Sequence, residues 1–170
     1  MLDAFNTKVA SLPNPSSANL AAVNVLVQEA DDPHIQGAAA ALATRRGSTS
    51  LETPYRFDLV VSHLTLHHVP DMPELLRTLH QCLKPGGRIA LTDYEDFGPD
   101  AVPFHPKAKR EGVERHGIKK SEMMEIIAGT GYNEVRVEEA FVLKKEVEAE
   151  DGKPAREAEF PFLICLGQKS

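Results

Sequence analysis

Three histidines crowd one short segment of this chain. His63, His67 and His68 follow the apolar run Leu59-Val60-Val61, with Ser62 before them and Leu64, Thr65 and Leu66 between. Imidazole titrates near neutral pH and also ligates metals, so two chemistries are open. The metal reading starts from His63 and His67, which are four residues apart and would share one face of a helix. The segment instead reads as the exit of a strand, and no Glu follows at His-Glu-x-x-His spacing. Asp71 would be at best a third ligand, so no metal is expected. Proton transfer needs an imidazole held beside the reacting group. His105 and His116 lie in a long loop and could act as a general base, or could be ordinary exposed loop histidines. His34 and His80 read as surface residues.

The elements that must position these side chains are legible from local pattern. Phe57–His63 is a short strand with a continuous apolar run, the pattern of a parallel strand covered on both faces. Asp71 is a good N-cap, with Pro73 in the first turn and Glu74 three residues after the cap. Leu75, Leu76, Leu79 and Leu83 then mark an amphipathic helix. Pro85-Gly86-Gly87 ends it and turns the chain into a strand from Arg88 to Thr92.

Before this unit, Leu2, Phe5, Val9 and Leu12 are spaced as a helix face. Val23–Val27 is β-branched at alternate positions and predicts a strand, stopped by Asp31-Asp32-Pro33. Ile35–Arg46 is alanine-rich and helical by propensity. Gly47–Pro54 reads as a linker. After the unit, Gly98–Gly117 has no periodicity, and loops of that length are often functional. Ser121 is placed as the cap of a helix reaching Ala128. Val135–Leu143 and Phe160–Leu166 predict two strands, with the charged stretch Lys144–Ala158 as an exposed hairpin loop. Alternating helices and strands imply a parallel sheet, and the closing hairpin adds antiparallel pairing at one edge.

Composition narrows the function. At 170 residues there is room for one domain, and 42% hydrophobic with 26% charged residues is ordinary for a soluble globular chain. A net charge of −6 argues against nucleic acid as a partner. The stretch Lys107–Lys120 is basic but broken by Glu111 and Glu114. No run approaches the ~20 apolar residues of a membrane span, and the N-terminal residues are not a secretory signal. Cys82 and Cys165, far apart in apolar segments, read as buried thiols. A cytoplasmic setting is the expectation.

Phe57-Asp58-Leu59-Val60-Val61 followed by Leu83-Lys84-Pro85-Gly86-Gly87-Arg88 and Ile89-Ala90-Leu91-Thr92-Asp93 resembles the second half of the class I S-adenosylmethionine-dependent methyltransferase fold. The resemblance implies an α/β, Rossmann-like sandwich with a mostly parallel sheet and a C-terminal antiparallel hairpin. Val23–Val27 would be the family's third strand, Phe57–His63 its fourth and Arg88–Thr92 its fifth. The first two strands, with the glycine-rich cofactor loop, have no counterpart, so the chain is expected to be N-terminally truncated. It is read as a single domain, residues 1–170, with 1–56 loosely attached and 57–170 as core.

The resemblance also implies site residues. An acid after the third strand would meet the adenine amino group, and Glu29-Ala30 fits that pattern best, with Asp31 and Asp32 as neighbouring candidates. Ser62, His63 and Leu64 would lie at the methyl-donor end of S-adenosylmethionine. His67 and His68 resemble the family's common Leu-His-His turn, structural or at the rim of the substrate pocket, and His105 and His116 lie in a stretch that in the family can cover the acceptor.

Two functional readings follow. One is a methyltransferase on a small-molecule acceptor, inactive if truncation is decisive. The alternative is a non-catalytic, methyltransferase-like fragment or interaction module. A dehydrogenase-type nucleotide binder leaves Lys84-Pro85-Gly86-Gly87 unexplained. With the glycine-rich loop missing, the isolated chain is expected to bind the cofactor poorly. With no first strand beside it, Leu59–Val61 would present an open edge, and a homodimer through that edge, dependence on a partner, or aggregation is expected.

Overall fold

A computed structural model describes residues 2–11, 20–47, 53–150 and 152–170. The chain divides into two units, Met1–Arg56 and Phe57–Ser170, and each is taken by itself.

The first unit holds helices α1 (Leu2–Ala10) and α2 (Pro33–Arg45). Asp32 starts α2: its Oδ1 accepts from the amides of His34 at 2.8 Å and Ile35 at 3.2 Å, and Pro33 occupies the first turn. Gln36 then staples the helix start to the end of the unit. Its amide donates to the carbonyls of Ala30 and Tyr55, and its Oε1 accepts from the Tyr55 amide at 2.6 Å. Val23–Val27 is not a strand, contrary to the alternation of its β-branched residues. It pairs with nothing in the described sheet, and Leu26 stands 76% exposed. Alternation favours a strand only where a cross-strand neighbour packs against it.

In the second unit, strand β1 (Phe57–His63) leads through α3 (Met72–Cys82) into β2 (Leu83–Tyr94). Asp71 caps α3 as its sequence signature predicts, accepting from the Glu74 amide at 2.8 Å. Met72, Leu76, Leu79 and Cys82 form the buried stripe of α3. A helical crossover lets β1 and β2 pair in parallel, with Val60 opposite Ile89. Helix α4 (Lys120–Gly129) precedes β3 (Tyr132–Val147) and β4 (Arg156–Lys169). Ser121 does not cap α4; it lies inside the first turn, with Lys119 at the cap.

The sheet order is β1-β2-β4-β3. β2 meets β4 antiparallel, Leu91 opposite Cys165, and β4 meets β3 antiparallel, Val137 opposite Cys165. The sheet is therefore mixed, with the expected C-terminal hairpin and one parallel pair. The hairpin strands run further than their apolar segments, so only part of Lys144–Ala158 is loop: β3 reaches Val147 and β4 begins at Arg156.

Two apolar clusters hold the second unit. One gathers Leu66, Leu76, Leu83, Ile89, Leu91, Ile127 and Leu163 between the helices and the sheet. The other gathers Tyr94, Ala101, Phe104, Val147, Phe160 and Phe162 beneath residues 98–117. His80 is half-buried rather than a surface residue, set edge-on to Tyr132 at 4.9 Å. Tyr132 donates its hydroxyl to the Leu76 carbonyl at 3.1 Å. Cys82 and Cys165 are buried, and burial pushes the Cys165 thiol up to about 12, with the Asp93 charge adding to it.

Truncating Leu76, fully buried in the first cluster, should destabilise the chain by about 2–5 kcal/mol. Asp71→Ala, which removes only the cap of α3, should cost ~1 kcal/mol. Urea unfolding followed by far-ultraviolet circular dichroism checks both, and equal losses would contradict this division between packing and capping.

Candidate functional site

The site forms where β1 and β2 end. The chain leaves β1 at His63 and reverses through Leu64, whose φ is +54°. A single 3-10 turn, Leu66–His68, follows. That turn buries His67 and leaves His68 exposed. Asp93, near the end of β2 and fully buried, receives the turn. Its carboxylate accepts from the His67 amide at 3.0 Å and from His67 Nδ1–H at 2.8 and 2.9 Å. It also accepts from the Tyr94 amide at 2.8 Å. A carboxylate on Nδ1 fixes the tautomer and leaves a lone pair on His67 Nε2. That nitrogen is buried and meets no hydrogen-bond partner.

The loop after β2 closes over this pair. Phe104, in the 3-10 segment Pro99–Phe104, stacks on Tyr94 at 4.0 Å. The stacking carries the next residue, His105, to 4.9 Å from the His67 ring. His68 lies 4.0 Å from the His67 ring, and its Nδ1 donates to the Gly112 carbonyl at 3.0 Å. The return of the loop is fixed by Arg115. Its guanidinium donates to the carbonyls of Leu66 at 2.9 Å, Val69 at 2.6 Å and Pro70 at 3.2 Å. Gly117 is required next: its φ is +101°, and a Cβ there would stand 2.7 Å from the Asp96 nitrogen.

The electrostatics follow from burial. His105 is held down to about 4 by its partial burial first, then by His67, His68, Lys145 and His116 around it. Burial pushes the Tyr94 hydroxyl well above its ordinary value, helped by the Asp93 and Asp96 charges. Tyr94 therefore keeps its proton, with its oxygen 3.4 Å from His105 Nδ1. The Lys145 ammonium is lowered by burial and by Lys109. It lies 4.4 Å over the Phe104 ring and donates to the Phe104 carbonyl.

The structure thus brings His67, His68 and His105 together. His116 stands half-buried with its Nδ1 unpartnered. His63 is drawn to other partners. Its Nδ1 lies 2.6 Å from Thr92 Oγ1, and its ring stacks on Phe162 at 5.7 Å. Ser62 offers its carbonyl to Thr92 Oγ1 at 3.4 Å, and Leu64 packs on the aromatic cluster. In the first unit Glu29 is exposed and Ala30 buried, while Asp31 is paired with Arg56 at 2.7 Å. Asp71 is committed to the α3 cap and is no ligand. Sequence reasoning missed Asp93 and Arg115. The only available signal was a lone acid closing an apolar strand.

A strand–helix–strand unit with its polar cluster beyond the carboxyl ends of parallel strands defines a Rossmann-like ligand-binding protein. The profile of the family described as methyltransferase domain matches residues 5–139. The chain belongs to that family, the class I S-adenosylmethionine-dependent methyltransferases, whose cofactor is S-adenosylmethionine.

Among curated relatives, phosphoethanolamine N-methyltransferase 3 of Arabidopsis thaliana is 32% identical over 99 residues, covering 55% of this chain and 20% of that protein. Phosphoethanolamine N-methyltransferase 1 of Triticum aestivum is 32% identical over 111 residues, covering 61% of this chain and 22% of that protein. The chain thus spans about a fifth of the length of these relatives. The fold is shared with the YcgJ protein of Bacillus subtilis, with TM-score 0.51 and 14% identity over 82% of this chain and 80% of that one. A Bacillus halodurans protein assigned to the methyltransferases matches with TM-score 0.51 and 18% identity over 69% of this chain and 73% of that one. No helix among the described residues is long and apolar enough to cross a membrane.

The depressed His105 has a consequence for stability. Its ordinary value of 6.5 falls to about 4 in the folded chain, so the unfolded chain binds the proton first. Stability should therefore fall as pH drops from about 6.5 toward about 4. His105→Gln should flatten that slope, and urea midpoints measured across this range in both proteins provide the check. An unchanged slope would mean that His105 titrates as in water.

Proposed function

We propose that this chain serves S-adenosylmethionine-dependent methyl transfer to a small-molecule acceptor carrying an amine, of the phosphoethanolamine type. The observation that carries the reading is the imidazole cluster at the strand exits, where one ring nitrogen of His67, His68 and His105 lies within 4.8 Å of the other two. Bound S-adenosylmethionine supplies an electrophilic methyl group, and the protein supplies position and electrostatics. An amine attacks only after losing a proton; a neutral imidazole accepts from an N–H of the bound amine and orients it for attack, while His105, held down to about 4, positions the amine rather than taking its proton. His68 is exposed and His105 half-buried. Asp93 acts through His67, holding its tautomer so that Nε2 accepts rather than donates. The names of the plant relatives, which share about a third of the aligned residues, supply the acceptor class.

The turn at Ser62, His63 and Leu64 suits the methyl-donor end of the cofactor. The left-handed Leu64 lifts the chain off the strand and leaves His63 at the surface. Glu29 is the better candidate for the adenine amine, because Asp31 is already paired with Arg56. Among the described residues there is no glycine-rich strand-to-helix loop to cradle the amino-acid end, so the reading assigns no contact there.

The test is transfer of labelled methyl from S-adenosylmethionine to phosphoethanolamine by the purified chain, beside ethanolamine, a nucleoside and a carboxylic acid. Transfer to the amines is expected only at high cofactor concentration, because the cofactor's amino-acid end has no cradle among the described residues, with His105→Ala lowering kcat by about 10²-fold through lost positioning. Cofactor binding without transfer to any of these acceptors would overturn the acceptor class.

The reading extends to assembly. Leu59 and Val61 on edge strand β1 are 54% and 68% exposed, and an apolar edge is a template for pairing with a second copy. Sedimentation at rising concentration should show a monomer–dimer equilibrium that Val61→Lys abolishes. A concentration-independent monomer would exclude the pairing.

A further inference from the structure

We propose that His67, His68 and His105 form a binding site for a first-row divalent transition metal, of the zinc or cobalt type. One nitrogen from each ring lies within 4.8 Å of the other two. The hydrogen bonds say which lone pairs are available. His67 gives its Nδ1 proton to Asp93, and His68 gives its Nδ1 proton to the Gly112 carbonyl. In each neutral ring Nε2 is then the acceptor nitrogen. His105 contacts the Tyr94 hydroxyl oxygen through Nδ1 at 3.4 Å. With that proton donated to the oxygen, its Nε2 becomes the third donor atom.

Metal-bound imidazoles are characteristically held this way, with the distal N–H on a carboxylate or a backbone carbonyl. Here one ring has the carboxylate and another the carbonyl. His67 supplies the independent sign of a ligand: the residue is 1% exposed, and its Nε2 is buried with no partner. An ion with Zn–N bonds of about 2.0–2.1 Å needs its nitrogens about 3.4 Å apart. Closing from separations of up to 4.8 Å asks for small side-chain rotations by His68, at the end of its 3-10 turn, and by His105, just after one. His67, pinned by Asp93, stays still.

Imidazole-only ligation selects zinc, copper, nickel, cobalt and iron over magnesium or calcium, which take oxygen. Three protein ligands leave a fourth position open on the exposed His68 side. His63 and Asp71, the partners a sequence reading would choose, take no part. Metal binding does not depend on the methyl-transfer reading, but the two compete for the same lone pairs, so a bound ion should exclude an amine acceptor.

Titration of the untagged chain with Co²⁺, followed by visible absorption, tests the site. One ion per chain is expected, with the intense bands of low-coordinate cobalt bleached on adding Zn²⁺. His68→Ala, at an exposed position, and His105→Ala should each weaken binding by at least tenfold, while His34→Ala in α2 leaves it unchanged. Circular dichroism of each variant establishes that it is folded. Absence of the bands, or affinity unchanged in folded His68→Ala, overturns the site. Methyl transfer assayed on the chelator-treated chain reads the other proposal separately: transfer without cobalt binding sinks only the metal site, and cobalt binding without transfer sinks only the enzyme reading.

Discussion

The second unit turns on one buried carboxylate. Asp93 is wholly removed from water, and a bare carboxylate there would be far too costly to keep. It is held by three donors: the His67 amide, the His67 ring and the Tyr94 amide. Charge-assisted bonds of this kind are roughly twice as strong as neutral ones. Through them the end of β2 dictates the path of the chain leaving β1. Removing the carboxylate would leave two backbone amides and a ring N–H without acceptors, and the turn Leu66–His68 would lose its anchor. The positions of His67 and its neighbour His68 follow from that anchor.

The second dependence is on aromatic packing. Residues 98–117 have no regular period, yet they are tied down at three places. Phe104 stacks on Tyr94 and meets Phe160 edge-on at 5.2 Å. Arg110 forms a bidentate pair with Glu150 beyond β3. Arg115 occupies three carbonyls of the Leu66–Pro70 segment, and carbonyls left unmet in a turn would otherwise be a cost. The hairpin β3–β4 supplies Phe160, Phe162 and Val147 to the same cluster. The C-terminal hairpin thus does more than close the sheet edge: it is the floor on which His105 is carried to His67.

Local signals were legible and long-range ones were not. The Asp71 cap, the α3 helix and the two hairpin strands depend on residues within a turn of one another, and all exist as the pattern predicts, although α3 stops at Cys82, one residue before Leu83, and both hairpin strands run past their apolar segments. Val23–Val27 has strand composition but no partner, and a strand is defined by its partner. Ser121 has the right chemistry for a cap but sits two residues too deep, because Lys119 is the cap and α4 begins at Lys120. Of the five histidines with candidate chemistry, four stand in or beside the cluster, and His63 is drawn away by Thr92. Asp93 could not be read as the organiser, since its partner lies 26 residues earlier. Arg115 is 49 residues from Leu66. Contacts at that separation are a property of the sheet order and leave no periodicity behind.

The lone pair on His67 Nε2 is where fold and function disagree. An unmet buried acceptor costs about 1–3 kcal/mol, and replacing the His67–Asp93 pair by an apolar couple could recover much of that. His80 carries a similar unmet nitrogen, but its ring lies edge-on against Tyr132 beside the Lys169 ammonium, away from any other imidazole. That is packing around a helix end. His67 instead points its acceptor among two further imidazoles, where no donor of the protein completes it. Local choices that conflict with stability concentrate at working sites. A cluster rich in acceptors and poor in donors is complementary to a species that brings the missing charge or proton: an ammonium group or a metal cation.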